Sequence, residues 1–426
     1  MLNRLTRLVA GIIVAGALTA LVWGQAAPNW KDQGESDIGL AAGNEKDPAK
    51  QLELLKKWEQ QYPESALANQ RTLMTAQALL SIMGSAYGKT DTPTLDAGQK
   101  AGQQLLDKFD SFFAPAVKPA TLSDAQWTAA KSQSLLQVHS VMAYIAQAKK
   151  DDATAEAEYK KVLGLDPNQA SASYQLGATI IREMIASKDT ARYSEAIYDF
   201  ARSIAVTGPS ALPAAGKDAA QKALNKYYPG YHGSSDGLSD LMKQVASAAL
   251  PPAGFHIQSV VEIEEAKAKD HAAWAAQHPD LDFWENIKAA LVAQGDAYFA
   301  NLKDVGFPPP VGDTYKGPAM FKGKVISQPT TKEILVSVDN VPTGDAILKF
   351  EDNIKGTVPP DTELQFKGVV DSYTKDPSYV LTLNIQEPKT DLVGLPDDIK
   401  FAPDAAVKPK PAGRGKAAAK STKKAQ

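Results

Sequence analysis

The stretch Gly233-Ser234-Ser235-Asp236-Gly237 matches G-x-S-x-G, the turn that holds a nucleophilic serine in one class of hydrolase. That chemistry needs a strand before the serine and a helix after it, so that the hydroxyl is held strained at a strand end. Here Ala223–Tyr228 has helical character and Pro229-Gly230 follows, so a Gly/Ser loop is expected instead. His271 and His278 stand on one helical face, downstream of Glu264 and Glu265. Histidines that share an ion from one helix are usually three or four apart. A spacing of seven separates them by about 10 Å of helical rise. His139, His232 and His256 are isolated in sequence, and no P-loop, G-x-G-x-x-G or H-E-x-x-H occurs. With no cysteine among 426 residues, thiolate nucleophiles, disulfides, iron–sulfur clusters and Cys-based zinc sites are all excluded. The expectation is a protein with no catalytic residues, no metal and no cofactor; a hydrolase in the helical region is the alternative.

The elements that would position any site fall into two kinds. From Asp47 to Val305 apolar residues recur at helical spacing: Leu52, Leu55, Trp58 and Tyr62 form the first stripe, broken by Pro63. Further helices are expected over 66–83, 97–113, 124–148, 152–163, 170–186, 193–206, 217–227, 238–250, 258–277 and 282–304. The last is expected to start at Asp282, which with Glu285 fits a capping box. Residues 27–46 are polar and contain glycine, so a linker is expected there. Residues 306–317 begin with Gly-Phe-Pro-Pro-Pro-Val-Gly, a stiff spacer that suggests a domain boundary.

After the prolines the period drops to two. Ile334, Val336 and Val338 alternate with polar residues, as do Ala346, Leu348 and Phe350, then Leu364 and Phe366, then Tyr379, Leu381, Leu383 and Ile385. With Met320–Ile326 this makes five expected strands, with Gly323 and Gly368 inside them where a small barrel needs sharp bends.

Within the helical part, 136–169 carries Ala143 and Ala146, then Ala155, Tyr159 and Val162, before Leu165-Asp166-Pro167. The next segment offers Leu176-Gly177, then Tyr193-Ser194-Glu195-Ala196, Phe200 and Ser203. These resemble tetratricopeptide repeats, 34-residue helical pairs with small residues where the helices touch. The second unit departs from that pattern by about seven extra residues around Ser187–Arg192. The five strands resemble an OB-fold, a small partly open barrel. The expected fold is therefore α+β and multidomain. It runs from a tetratricopeptide-like array over 47–305 to a small antiparallel barrel over 318–396.

The ends carry address and charge. Arg4 and Arg7 precede an uncharged apolar run over 8–23, followed by Gly24-Gln25-Ala26, the layout of a secretion signal over 1–26. An uncleaved inner-membrane anchor over 8–23 is the competing reading; both place the body in the periplasm or cell envelope. Residues 397–426 form a basic tail with nothing large to bury, where disorder is expected. The formal net charge is −3, so the body between these basic ends is acidic. The tail could meet an anionic envelope surface. Nucleic acid is disfavoured as a partner: residues 318–396 hold eight Lys against eleven Asp or Glu, and Phe350 and Phe366 fall on the inward alternation. A carbohydrate- or nucleic-acid-binding barrel is the alternative to the leading expectation, a scaffold that binds a protein partner; its oligomeric state is left open.

The repeat resemblance implies where that partner docks. In such arrays the first helix of each pair lines the concave face. Fixing the register at Pro167 puts Gln137, Ser140, Tyr144 and Gln147 there, with Ser171, Tyr174 and Arg182 from the next unit. Aromatic area with polar handles is the mixture found at binding hot spots.

Overall fold

The computed structural model describes residues 29–312, 315–376 and 378–403. The secretion-signal segment and the tail beyond 403 lie outside the described residues. The chain forms two compact units that divide between Ile263 and Glu264.

The first unit is helical. Its longer helices are α1 (Gln33–Asn44), α2 (Pro48–Gln61), α3 (Ala68–Ser85), α4 (Thr92–Asp107), α6 (Asp124–Ala148), α7 (Asp152–Leu165), α8 (Ala170–Ser187), α9 (Tyr193–Ala205) and α10 (Ala214–His232). The short α5 (Phe109–Phe112) and α11 (Leu238–Gln244) complete it. Many of these helices start for one local reason. Asp32, Asp47, Asp91 and Asp151 each sit at an N-cap, where the carboxylate accepts backbone N–H groups that the first turn leaves unpaired. Ser123 and Gln126 form a reciprocal capping box ahead of α6. Each helix then buries its apolar stripe mainly on its neighbours in chain order.

One departure from the sequence reading stands out. Much of the expected 27–46 linker is helix α1. It lacks a stripe of large apolar residues and is held instead by Glu35, which is fully buried. The Glu35 carboxylate accepts from Trp58 Nε1 at 3.0 Å and from the Lys31 N–H at 2.7 Å. Burial pushes this carboxyl up, but hydrogen bonds from Ser65, Lys31 and Trp58 outweigh it and hold it below the usual range. The long turn at Ser187–Arg192 is also tied down. Arg192 reaches Glu156 of α7 at 2.6 Å, Glu183 of α8 at 2.9 Å and Glu195 of α9 at 2.8 Å, so one guanidinium pins three helices.

Helix α12 (Val260–Gln277) crosses the division and buries none of its residues. The second unit then begins its core with α13 (Pro279–Gln294) and α14 (Asp296–Leu302), split at Gly295, whose φ of 58° lies in the left-handed region. Helix α13 starts at Pro279, not at Asp282, because Pro is pre-set for the first helical position. Ten strands follow: β1 (Gly306–Phe307), β2 (Phe321–Thr330), β3 (Glu333–Ser337), β4 (Ala346–Phe350), β5 (Asn353–Lys355), β6 (Glu363–Phe366), β7 (Gly368–Thr374), β8 (Val380–Ile385), β9 (Leu392–Val393) and β10 (Lys400–Ala402). Eight form one sheet in the order β1-β7-β8-β4-β3-β2-β6-β9, and β10 pairs with β5. Every pair is antiparallel except β4 with β8. Only Lys367 separates β6 from β7, so one run of chain lies beside β2 with its first half and beside β8 with its second. The sheet is curled accordingly.

The alternation places the inward set as expected. Phe321, Val325, Ile334, Val336, Ala346, Leu348, Phe350, Leu364, Phe366, Val370, Leu383 and Ile385 share one core. Gly323 and Gly368 are required by close approach: a Cβ would lie 3.0 Å from the Ser337 carbonyl oxygen and 2.9 Å from that of Asn384. Trp284, Ile287, Leu291 and Leu302 of α13 and α14 belong to this same core. Trp284 Nε1 donates to Asp345 Oδ2 at 2.9 Å, Lys288 Nζ lies 3.2 Å from the same oxygen, and the Val338 N–H donates to Oδ1 at 2.7 Å. The compact units therefore divide ahead of these helices rather than at the proline run. The tail also starts later than expected: residues 400–402 form a strand beside β5, where the Phe401 ring leans on Phe350 with centroids 5.1 Å apart. No helix among the described residues is long and apolar enough to cross a membrane.

Candidate functional site

The residues expected on a concave face lie on α6 and α8, and the structure brings part of the set together. The Gln147 amide of α6 lies 3.1 Å from the Gln175 amide of α8 and 3.0 Å from Tyr159 Oη of α7. With its nitrogen turned to the tyrosine, Gln147 Oε1 lies 3.2 Å from Arg182 Nη1. Arg182 in turn donates to Asp152 Oδ1 from both Nε (3.0 Å) and Nη2 (2.7 Å), and to Thr179 Oγ1 at 2.9 Å. Gln147 and Arg182 thus join one polar network across three helices. Asp152, Tyr159 and Gln175 belong to it without having been assigned to the binding face; the alternation of helices at the Pro167 register was the only signal that could have found them.

The remaining residues sit differently. Tyr144 is half-buried; its hydroxyl donates to the Lys89 carbonyl at 2.8 Å and its ring leans on Tyr87 at 4.8 Å. Tyr174 is also half-buried, packed against Phe200 at 5.7 Å. Ser140 Oγ donates to the Leu136 carbonyl one turn back. Gln137 is half-buried and Ser171 is exposed. The two tyrosines are engaged in packing; Gln137 and Ser171 make no hydrogen bond within the described residues.

The small residues where the paired helices meet are buried: Ala143, Ala155 and Ala196 are inaccessible, and a Cβ on Gly177 would lie 2.9 Å from the Ala196 carbonyl oxygen. Close by, Asp199 of α9 is 1% exposed and neither carboxylate oxygen has a hydrogen-bond partner. Burial pushes this carboxyl well above the usual range, which favours its neutral form. His139 and Glu158 form a buried pair between α6 and α7 at 2.6 Å, with Lys161 2.7 Å from the other oxygen.

The hydrolase-like motif sits between two helices. Gly233 caps the C-terminus of α10 with φ of 90° and Gly237 precedes α11 with φ of 77°. Ser234 Oγ bonds Asp236 Oδ2 at 2.9 Å, and no strand precedes Ser235. The histidines of this region are dispersed as well: His232 faces the Gln258 carbonyl, His256 pairs with Glu262, and His271 lies 3.5 Å from Asp282. No group of three or more His, Asp or Glu among the described residues is placed to hold a metal ion.

No model of a known protein family matches the chain, and no curated protein sequence matches it.

Proposed function

We propose that this protein is an exported, non-enzymatic scaffold of a bacterial cell envelope, binding a protein partner on the face formed by α6 and α8. The observation that carries this reading is the side-by-side placement of those two helices, joined at Gln147 and Gln175, while Gln137 and Ser171 on the same face keep unspent polar groups. In this reading α6–α7 and α8–α9 are tetratricopeptide-like pairs, supported by the buried small residues at Ala143, Ala155, Gly177 and Ala196. The curled sheet is an OB-like barrel, supported by the parallel β4–β8 pair and by the single run that serves as β6 and β7. The secretion signal carries the chain out of the cytoplasm, and the basic tail rests against an anionic envelope surface.

The packing of Tyr174 and the ion pair of Arg182 make these two poor probes of binding, since their loss would loosen the helices. Ser171 is exposed and serves better. A photo-crosslinking residue at Ser171 should trap a discrete partner in the envelope, whereas the same residue at Ala157, exposed on α7, should not. Equal crosslinking from both positions, or none from Ser171, would sink the reading.

A further inference from the structure

A cavity of about 330 Å³ opens on the outer face of the curled sheet, within the lower range of small-molecule sites. Its polar lining is Lys322 and Lys324 of β2, Ser337 at the end of β3, Asn340, and Glu363 and Gln365 of β6. None of these six side chains makes a hydrogen bond or ion pair within the described residues. For exposed lysines that is ordinary. For Ser337 it is not: the residue is 5% exposed and its Oγ is buried with no partner. A buried hydroxyl left unpaired is costly, so such a group at a cavity wall marks a place where a ligand completes the bonding.

The register sorts the charges. Lys324 stands directly opposite Glu363 on one side and Ser337 on the other, whereas Lys322 stands opposite the neutral Gln365. Glu363 therefore offsets Lys324 locally, and Lys322 keeps a positive charge beside an amide donor. Asn340, held at a left-handed φ of 53°, and Gly394, whose Cβ would collide with the Glu363 carbonyl, close the ends of the cavity with short backbone rather than bulk. No aromatic ring lines it, which disfavours stacked bases.

We propose that this cavity binds a small polyhydroxylated compound with a single anionic group, its carboxylate or phosphate held by Lys322 and Gln365 and its hydroxyls by Ser337, Asn340 and Glu363. The charge balance selects one negative group, and the mixture of hydroxyl, amide and carboxylate suits a ligand that both donates and accepts.

Isothermal titration of the mature full chain with glucuronate, glycerol 3-phosphate and glucose tests this. Saturable binding is expected for at least one of the two anions, and which one binds more tightly tells carboxylate from phosphate. Glucose should bind at least about tenfold more weakly than the better anion, the loss expected for one charge-assisted contact. Lys322→Ala should weaken the anion by a similar factor while circular dichroism stays unchanged. Ser337→Ala, which removes only the orphan hydroxyl, should weaken binding without weakening the fold. No saturable binding of either anion would overturn the proposal. So would glucose binding as tightly as the anions, or unchanged affinity in Lys322→Ala.

Discussion

Each unit buries a carboxylate against the N–H of a tryptophan, and the two arrangements differ in reach. In the helical unit Glu35 and Trp58 lie 23 residues apart, on consecutive helices. In the barrel unit Trp284 and Asp345 lie 61 residues apart, one on a helix and one at the edge of a strand. The helical unit is built from neighbours in the chain, so each contact closes a short loop at small entropic cost. The barrel unit is built from distant partners: β4 lies beside β8, and a helix that precedes every strand packs into their core. The difference teaches where each unit is vulnerable. In the helical unit damage acts on close packing between adjacent helices, whereas in the barrel unit it acts on single anchors that hold remote segments together.

The largest expected effect is therefore at the barrel's anchor. Trp284→Ala removes a fully buried ring and one of the donors to the Asp345 carboxylate, which keeps Lys288 and the Val338 N–H, a loss of about 3–5 kcal/mol. Hydrogen exchange should quicken across 279–393 and leave 33–205 unchanged; equal quickening in both would break the comparison. Next is Gly177→Ala, which forces α8 and α9 apart at a point where a Cβ has 2.9 Å to the Ala196 carbonyl oxygen. About 1–3 kcal/mol should be lost in chemical denaturation, with the exchange pattern reversed so that only the helical unit responds.

The smallest effect separates a paired buried carboxylate from an unpaired one. Burial raises the folded-state pKa of Asp199 above its unfolded value, so its contribution is fully present at low pH and declines as pH rises from the unfolded pKa towards the folded one. Asp199→Asn should thus stabilise the protein at pH 7 by about 1 kcal/mol, with the gain vanishing near pH 4. Glu35 behaves in the opposite sense. Its folded-state pKa is lowered, so its contribution is present above the unfolded pKa and is lost as pH falls through the folded one. Melting curves of the parent and Asp199→Asn between pH 4 and pH 8 check this; a pH-independent difference would refute the neutral carboxyl.

Much of this architecture was legible in the sequence wherever the signal was local. The stripe Leu52, Leu55, Trp58 is buried, and the period-two residues Ile334, Val336, Leu348 and Phe366 face the barrel core. What the sequence hid is of two kinds. Helix α1 escapes because its anchor is a buried glutamate among small residues, so its composition resembles a linker. The membership of α13 in the barrel escapes because Trp284, Ile287 and Leu291 have the spacing of any amphipathic helix, and spacing does not say which core receives it. The candidate surface divides likewise. Register alone puts Gln147 and Arg182 on one face, but Asp152, which engages Arg182, lies on the intervening helix that the register assigns to the other face.

The curled sheet has one further consequence. Its last strands on either side, β1 and β9, are two residues long, and the two-stranded pair β5–β10 is three residues long at each member. An exposed strand edge recruits other chains by offering a row of unpaired N–H and C=O groups, and two residues are too short a row to template a neighbour. Among the described residues β1 and β9 are thus too short to seed edge-to-edge polymerisation themselves.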